Sequence, residues 1–350
     1  MVDSGVVGGA RRRAHNKRMT RRGFLLFASL GIIWGVPYLF IKIAVAELTP
    51  EFLVLARTVI AAALLLPIAA RHRAIGPVLR RWKPLLAFAL FEIVLAWYFI
   101  NAAEQTLSSS TVGLLLATIP LVAMAVAFLG GRRDRLTGVN LVGVAFGMVG
   151  VAAIVGFDVG GSDLGAVAQL AVAIVGYAVG PAILARYLHD LPGVGVIACA
   201  LGISALAYVP IVALTGGWPT AVPSTMTIVS VIVLAVLCSA VAFLLMFALV
   251  AEVGPIRMSA ITYVNPAVAV IAGALFLNEP ISAWTVVGFA AILLGSALVT
   301  RPDPAKAAAA PEAEITEAPD SATDAGEDHE HPTPSEALDE PIPPTEPIVR

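Results

Sequence analysis

The sequence has little charge for its length. Of its 350 residues, 13% are Asp, Glu, Lys or Arg, whereas 59% are hydrophobic, and the mean hydropathy is +0.89. Soluble domains contain only about 45–50% apolar residues. This composition argues against a soluble globular protein and indicates that lipid covers most of the apolar surface.

Residues that support covalent or metal chemistry are also scarce. The two cysteines, Cys199 and Cys238, lie inside apolar runs, so a disulfide framework or a thiolate metal cluster is excluded. The histidines all fall in polar connections or termini: His15, His72, His189, His329 and His331. No phosphate-binding glycine loop is present. We therefore expect neither an enzyme nor a metal, cofactor or ATP site.

Long apolar stretches fill the space between the polar ends, and ten of them are about long enough to span a bilayer. They are Gly23–Ala46, Glu51–Ala70, Pro84–Ala102, Leu107–Leu129, Val139–Phe157, Leu164–Leu184, Val194–Leu214, Met226–Val250, Ile256–Leu277 and Ile281–Val299. They lack the alternation of barrel strands, so helices are predicted. The expected fold class is an all-α integral membrane protein with ten transmembrane helices.

The first stretch has some features of a signal peptide, because it follows a basic segment and contains Ala44-Val45-Ala46, which resembles a cleavage site. It is longer than the 7–15 residues typical of such a region, and we interpret it as the first span.

Positive charge alternates between successive connections. Every second connection carries Arg or Lys, whereas the connections between them carry no base. Cytoplasmic loops collect these residues, so both termini are predicted to be cytoplasmic in a multi-pass protein of the cell membrane, which is the inner membrane in a bacterium.

The two ends of the chain differ in charge. Residues 1–22 form a basic cytoplasmic N-terminus, and residues 301–350 contain thirteen acids, three bases, ten prolines and no aromatic residue. The latter composition predicts a disordered acidic tail. His329 and His331 are interpreted as part of this solvated tail rather than as a metal site.

The two halves of the hydrophobic region resemble each other. Prolines and glycines recur at offsets of 144 to 146 residues: Pro37 and Lys42 with Pro181 and Arg186, Pro120 with Pro266, and Gly143 and Gly150 with Gly288 and Gly295. This predicts one five-helix repeat over residues 23–157 and a second over residues 164–300. Because five is odd, the second repeat is inverted relative to the first, an arrangement typical of alternating access.

Two motifs carry a family resemblance. The first span reads Trp34-Gly35-Val36-Pro37-Tyr38, and Tyr263-Val264-Asn265-Pro266 precedes Leu277-Asn278-Glu279-Pro280-Ile281. Over roughly residues 23–300 the sequence resembles the EamA family of the drug/metabolite transporter superfamily. The resemblance implies two five-helix repeats and export of amino acids, related metabolites or drugs, often in exchange for protons.

The sequence departs from the family pattern at one position. Family members commonly carry Gly-Glu after the fourth and the ninth spans, but the first half reads Gly130-Gly131-Arg132-Arg133 here. In the second half Glu279 follows Asn278. We interpret Glu279 as an anchor for the N-terminus of the tenth span, where the helix dipole favours negative charge.

Three charged residues lie within the predicted spans, where charge is costly and suggests function: Lys42, Arg57 and Glu92. Lys42 is near a span end, so a substrate contact and an interfacial position are both open. Arg57 and Glu92 differ by about 6 Å in predicted depth and could pair. Glu92 is then either a carboxylate that binds a proton or a cationic substrate group, with Arg57 as competitor or carboxylate clamp, or half of a static ion pair.

Polar and aromatic residues near mid-span form the second group of candidates. Those expected to face a substrate cavity are Trp34, Tyr38, Tyr177, Tyr263 and Asn265. Those expected in the outer interfacial belt are Trp97, Tyr98 and Asn101. Helix kinks are expected at Pro37, Pro120, Pro181 and Pro266.

The sequence thus predicts a secondary active transporter of small metabolites that works by alternating access. A channel or a non-transporting membrane scaffold is the alternative. The expected partners are a small-molecule substrate, the lipid bilayer and, as the resemblance implies, protons; no nucleic-acid partner is expected.

Overall fold

A computed structural model of the chain describes residues 20–129, 138–158, 163–254, 258 and 260–300. The ordered elements in these ranges are helices, with no strand among them. We number the apolar helices α1 (Arg21–Ala44), α2 (Pro50–Arg71), α3 (Trp82–Glu104), α4 (Ser109–Leu129), α5 (Gly138–Gly156), α6 (Leu164–Leu188), α7 (Gly193–Thr215), α8 (Thr225–Val253), α9 (Ile261–Phe276) and α10 (Ala283–Thr300).

Nine of these helices within the described ranges are long and apolar enough to cross a membrane. The remaining one, α9, is apolar but shorter, at 16 residues. A short helix, Ile75–Arg80, lies between α2 and α3. The chain is therefore a multi-span helical membrane protein. The basic residues 1–19, the arginines at 132–135, Arg257 and the acidic tail lie outside the described residues.

Local sequence signals set several helix ends. Thr49 precedes α2 and accepts a hydrogen bond from Phe52 N, and Pro50 occupies the first turn, where its missing N–H costs nothing. Ser108 accepts from Thr111 N before α4 in the same way. Gly216 ends α7 with φ of 69°, a conformation that glycine adopts without strain.

The four prolines expected to kink helices fall into two groups. Pro37 begins a new helical segment after a break at Val36, and Pro120 follows a break between Leu116 and Ile119. Pro181 and Pro266 lie inside continuous helical segments, and a π-helical turn, Leu184–Leu188, follows the first of these. Only the first two prolines therefore coincide with an interruption of the helix.

The helices pack as a single bundle with a regular pattern of neighbours. Three pairs join helices five apart in order: α2 with α7, α4 with α9, and α5 with α10. In addition, α3 packs on α6 and α8 packs on α1. The pattern is the same for both halves of the chain: when each helix is replaced by the helix five places away, the contact of α3 with α6 becomes the contact of α8 with α1, and the other three pairs map onto themselves.

Small residues allow the closest of these contacts, between α5 and α10. A Cβ atom at Gly150 would lie 2.6 Å from the Gly288 carbonyl oxygen and 2.7 Å from Ile292. The backbones of the two helices approach at Gly143 and Gly295 in the same way. Such contacts hold membrane helices together by van der Waals packing, because lipid is as apolar as a leucine side chain.

We predict that Gly150→Ala lowers the melting temperature of the protein in detergent, because the added methyl group meets backbone atoms that cannot move aside. Overpacking of this kind costs about 1–3 kcal/mol. Gly165→Ala is the matched control, since Gly165 has no atom within 4 Å of an added Cβ. The control should melt at the same temperature or higher. Equal melting temperatures for both variants would contradict the close α5–α10 contact.

Candidate functional site

The centre of the candidate site is Arg57, whose side chain is only 7% exposed although it lies within α2. Its Nε donates a hydrogen bond to Ser239 Oγ on α8 at 2.8 Å. The guanidinium carbon lies 3.7 Å from the centre of a Trp97 ring on α3, in a cation–π contact. Three helices from both halves of the chain therefore converge on one positive charge.

Ser239 can accept this bond because α8 is irregular around it. Residues Val233–Val241 form a π-helical segment, and Ser239 donates its own hydroxyl hydrogen to the Leu234 carbonyl at 2.8 Å. Its lone pairs then remain for Arg57. Such π-helical segments frequently occur at functional sites.

Glu92 lies in a second π-helical segment, Leu90–Leu95, in the middle of α3. Its Oε2 atom is buried and has no hydrogen-bond partner in the described part of the chain. The carboxyl group fills the space where a side chain at Gly180 of α6 would lie. From α7, Tyr208 donates to the Val94 carbonyl at 2.7 Å and so satisfies a backbone group of the same segment.

Arg57 and Glu92 do not form the ion pair that the sequence analysis considered. Within the described ranges, the ion pair found between side chains is that of Arg81 with Asp190. Arg57 is held by a hydroxyl group and an indole ring instead. The static-pair alternative is therefore not supported, and each charge keeps hydrogen-bonding capacity for another group.

Two predicted cavity tyrosines lie around these charges. The Tyr177 hydroxyl on α6 lies beside the indole of Trp97, and it is close enough to Glu92 and Arg57 for a Coulomb interaction with each. Tyr38 on α1 is within electrostatic reach of Tyr177 and Arg57. The two tyrosines form, with Arg57 and its neighbours, what we call the Arg57 cluster: Tyr38, Arg57, Glu92, Trp97, Tyr177 and Ser239.

The remaining cavity candidates contact other parts of the bundle. Trp34 packs edge to face against Phe243 of α8, with ring centres 6.2 Å apart. Tyr263 donates to the Ser296 carbonyl on α10 at 3.2 Å. With its amide oriented to satisfy both atoms, Asn265 donates to the Gly31 carbonyl on α1 at 3.1 Å. Tyr263 and Asn265 thus join α9 to its neighbours.

A second polar cluster lies where α3 ends and α4 begins. Lys42 Nζ donates to the carbonyl oxygens of Glu104 and Leu107, at 2.7 and 2.8 Å. The Glu279 carboxylate accepts from the backbone N–H groups of Ser109 and Ser110, at 2.7 and 3.0 Å. The Lys42 ammonium and the Glu279 carboxylate therefore bind the C-terminal end of α3 and the N-terminal end of α4, each at the end that the helix dipole favours.

Comparisons with known proteins agree on one family. The model of the EamA-like transporter family matches residues 21–156 and again residues 164–301. The chain belongs to the EamA-like transporter family. Among its relatives, the uncharacterised inner membrane transporter YedA of Escherichia coli K12 is 31% identical over 283 residues, which cover 79% of this chain and 89% of that protein. The uncharacterised transporter YvbV of Bacillus subtilis is 25% identical over 295 residues, 83% and 95% of the two chains.

A solved crystal structure shares the fold of this EamA-like chain. It superposes with a TM-score of 0.58 at 19% identity and covers 79% of this chain and 96% of its own. The family assignment confirms the resemblance found in the sequence and makes the chain a transporter by family, a class whose members are not enzymes in general.

Two expectations about individual acids of this EamA-like chain are wrong. The predicted span Pro84–Ala102 leaves Glu104 in the connection that follows it, but Glu104 is the last residue of α3 and its side chain is 0% exposed. Glu279 was expected to anchor α10, but its carboxylate binds the start of α4 instead. The positions of both side chains depend on packing between segments that are far apart in the sequence, and the local pattern of charges does not predict such contacts.

The outer-belt expectation also fails for two residues. Trp97 is 5% exposed and Asn101 is 2% exposed, so both face the interior of the bundle rather than lipid headgroups. Ser239, for which the sequence offered no partner, accepts from Arg57. Among the described residues, no three His, Cys, Asp or Glu side chains are grouped as metal ligands.

We predict that Ser239→Ala lowers the free energy of unfolding by about 1–3 kcal/mol, because it leaves a charged, buried N–H group of Arg57 without an acceptor. Titration with a denaturing detergent measures this loss. Ser204→Ala is the matched control: Ser204 is equally buried, but its hydroxyl bonds only to the Ala200 carbonyl of its own helix. Equal losses in the two variants would show that the Arg57 contact contributes nothing.

Proposed function

We propose that this chain is a secondary active transporter of small metabolites in the bacterial inner membrane. In this proposal, ten transmembrane helices form two inverted five-helix repeats that move about the Arg57 cluster. Family membership and the names of both relatives, which are transporters, support the transport class. The name of YedA, an inner membrane transporter, supports the location. The alternating-access mechanism is supported chiefly by a pair of equivalent contacts at the two ends of α2 and α7.

The first contact joins the start of α2 to the end of α7. Glu47, just before α2, accepts a hydrogen bond from Ser224 N, beyond the end of α7, at 2.7 Å. Thr49 donates to the Gly217 carbonyl at 3.0 Å in the same region. We call the Glu47–Ser224 contact the first latch.

The second contact joins the end of α2 to the start of α7. Arg81, after α2, binds Asp190, before α7, with two parallel hydrogen bonds of 2.6 and 2.7 Å. Bidentate pairs of this type are the strongest surface ion pairs. We call the Arg81–Asp190 contact the second latch.

The two latches are related by the repeat in the sequence. Glu47 and Asp190 are 143 positions apart, and so are Arg81 and Ser224, an offset one residue shorter than the 144 to 146 residues that separate the repeated prolines and glycines. Because each latch joins the start of one helix to the end of the other, α2 and α7 run antiparallel. Antiparallel packing of equivalent helices is what inverted repeats require, and the latches then lie near opposite ends of α2, a helix about 33 Å long. Their geometry therefore favours two gates that open in turn.

Both latches should stay intact as the pH falls from neutral to mildly acidic values. Hydrogen bonds from Ser224 hold the pKa of Glu47 below its usual value, and the hydrogen bond from Arg81 does the same for Asp190. A lowered pKa means that each contact is fully present above the ordinary carboxyl pKa and is lost only as pH falls through the lowered one. Any response of transport between about pH 7 and pH 5 must then come from other groups.

We predict that Arg81→Gln increases hydrogen exchange at the Asp190 end of the bundle and decreases it at the Glu47 end. Weakening one gate of an alternating-access carrier shifts the population toward the state in which the other gate is closed. The expected change is about two- to five-fold, the range for an exposed ion pair. Lys83→Gln, which removes a nearby exposed base, is the control and should change neither end. Increased exchange at the Asp190 end alone would indicate a local tie rather than a gate.

Transport itself is tested in two steps. A metabolite survey of cells with and without the gene identifies the substrate, and liposomes containing the purified protein then measure its flux. We predict saturable uptake that is faster into liposomes preloaded with unlabelled substrate, because a carrier exchanges substrate across the membrane. Flux that does not saturate and ignores preloading would favour a channel. No flux of any surveyed metabolite would favour the scaffold alternative.

A further inference from the structure

Glu104 is an unusual residue for its surroundings. It is the last residue of α3, its side chain is 0% exposed, and neither carboxylate oxygen has a hydrogen-bond partner among the described residues. An ionised carboxylate without a partner is costly to bury, and the C-terminal end of a helix repels negative charge. The surroundings therefore favour the neutral, protonated form.

A neighbouring side chain also lacks a hydrogen-bond donor. Asn101, one helical turn earlier on α3, is 2% exposed and donates to the Pro50 carbonyl at 3.2 Å, but its amide oxygen has no partner in the described structure. Residues three apart lie side by side on a helix. A protonated Glu104 has one O–H group to donate, and the Asn101 oxygen can accept it. One bound proton would thus give a partner to the Asn101 oxygen and to one of the two Glu104 oxygens.

Lys42 lies next to Glu104 and binds its backbone carbonyl rather than its carboxyl group. Its ammonium group donates to the carbonyl oxygens of Glu104 and Leu107, and no ion pair within 4.0 Å joins it to the Glu104 carboxylate in the described ranges. An ammonium has three N–H groups, so one remains after these two bonds. The other charges that act on Glu104 are Arg57, which attracts a carboxylate, and Glu279, which repels it; Tyr38 on α1 also faces it.

We propose that Glu104 is a proton-binding site of this transporter and that Lys42 is the cation that pairs with its carboxylate after the proton leaves. The inference rests on the proposed transport function. In the state described here the carboxyl group is closed off from water and holds the proton. When the bundle opens at this end, water takes the proton, and the free ammonium N–H of Lys42 binds the carboxylate.

A proton fits this site better than a metal cation. Sodium or calcium requires several oxygen ligands, and the backbone carbonyls of Glu104 and Leu107 already accept hydrogen bonds from Lys42. The fixed ammonium charge therefore occupies the position that a second cation would need.

Infrared difference spectroscopy of the full-length protein in liposomes tests the proposal. Raising the pH should remove a C=O band of a buried protonated carboxyl group in the wild-type protein. Because Glu92 is a second buried carboxyl group, the comparison is made in a Glu92→Gln background: the band should be present in Glu92→Gln and in Glu92→Gln/Glu47→Gln, and absent from Glu92→Gln/Glu104→Gln at every pH. Glutamine has the shape and a hydrogen-bond donor like those of neutral glutamic acid, so the Glu104 variant should fold. If it does not fold, the pH titration of the band in the Glu92→Gln protein still tests for a buried protonated carboxyl group.

The outcomes separate this site from the transport mechanism. A carboxyl band that persists in Glu92→Gln/Glu104→Gln, or a Glu92→Gln protein without one, overturns the proton site. A band that sodium removes at constant pH overturns the choice of a proton over a metal cation. The proposed alternating access is tested apart from these results by the hydrogen-exchange response of Arg81→Gln, so either proposal can fail alone. Lys42→Met should raise the pH at which the band disappears, because the carboxylate then lacks its counter-charge.

Discussion

A permanently charged guanidinium group in the interior of an apolar helix bundle is the constraint around which this structure is organised. Arginine does not lose its proton to escape burial, so the surrounding helices must supply compensation. Ser239 provides one acceptor and Trp97 provides an aromatic face. A guanidinium has five N–H groups, and the described residues bond the one on Nε. In the proposed transport function, this remaining capacity is available to bind an anionic group.

This compensation depends on irregular helices as much as on side chains. The π-helical segments of α3 and α8 turn Glu92 and Ser239 toward the same region, and they change the pairing of nearby backbone carbonyls. Hydroxyl groups of Tyr208 and Ser239 bond two of those carbonyls. Exposed carbonyls are tolerated in a membrane only when protein groups satisfy them in this way. The polar residues around the Arg57 cluster therefore stabilise the irregular backbone that holds the buried charges.

The sequence predicted the spans well, because lipid imposes length and hydropathy on each segment separately. The predicted span Glu51–Ala70, for example, corresponds to the helix Pro50–Arg71. It did not predict the site contacts. Arg57 with Ser239 and Glu279 with Ser109 join residues more than 160 positions apart, and their geometry follows from how helices pack. The repeat was visible in prolines and glycines, whereas the partners of the charged side chains left no periodic signal.

The buried charges are distributed unequally between two halves that otherwise match. At offsets of 143 to 146 residues, Glu92 corresponds to a position within Ala235–Cys238 and Glu104 to one within Phe247–Val250, and all of these residues are uncharged. At both positions the first half has an acid and the second half has an uncharged residue. If the halves exchange conformations during transport, the two end states place these acids in different surroundings and cannot have equal energies. The bundle can thus be nearly symmetric in shape while its charges make the states open to each side respond differently to protons and substrate.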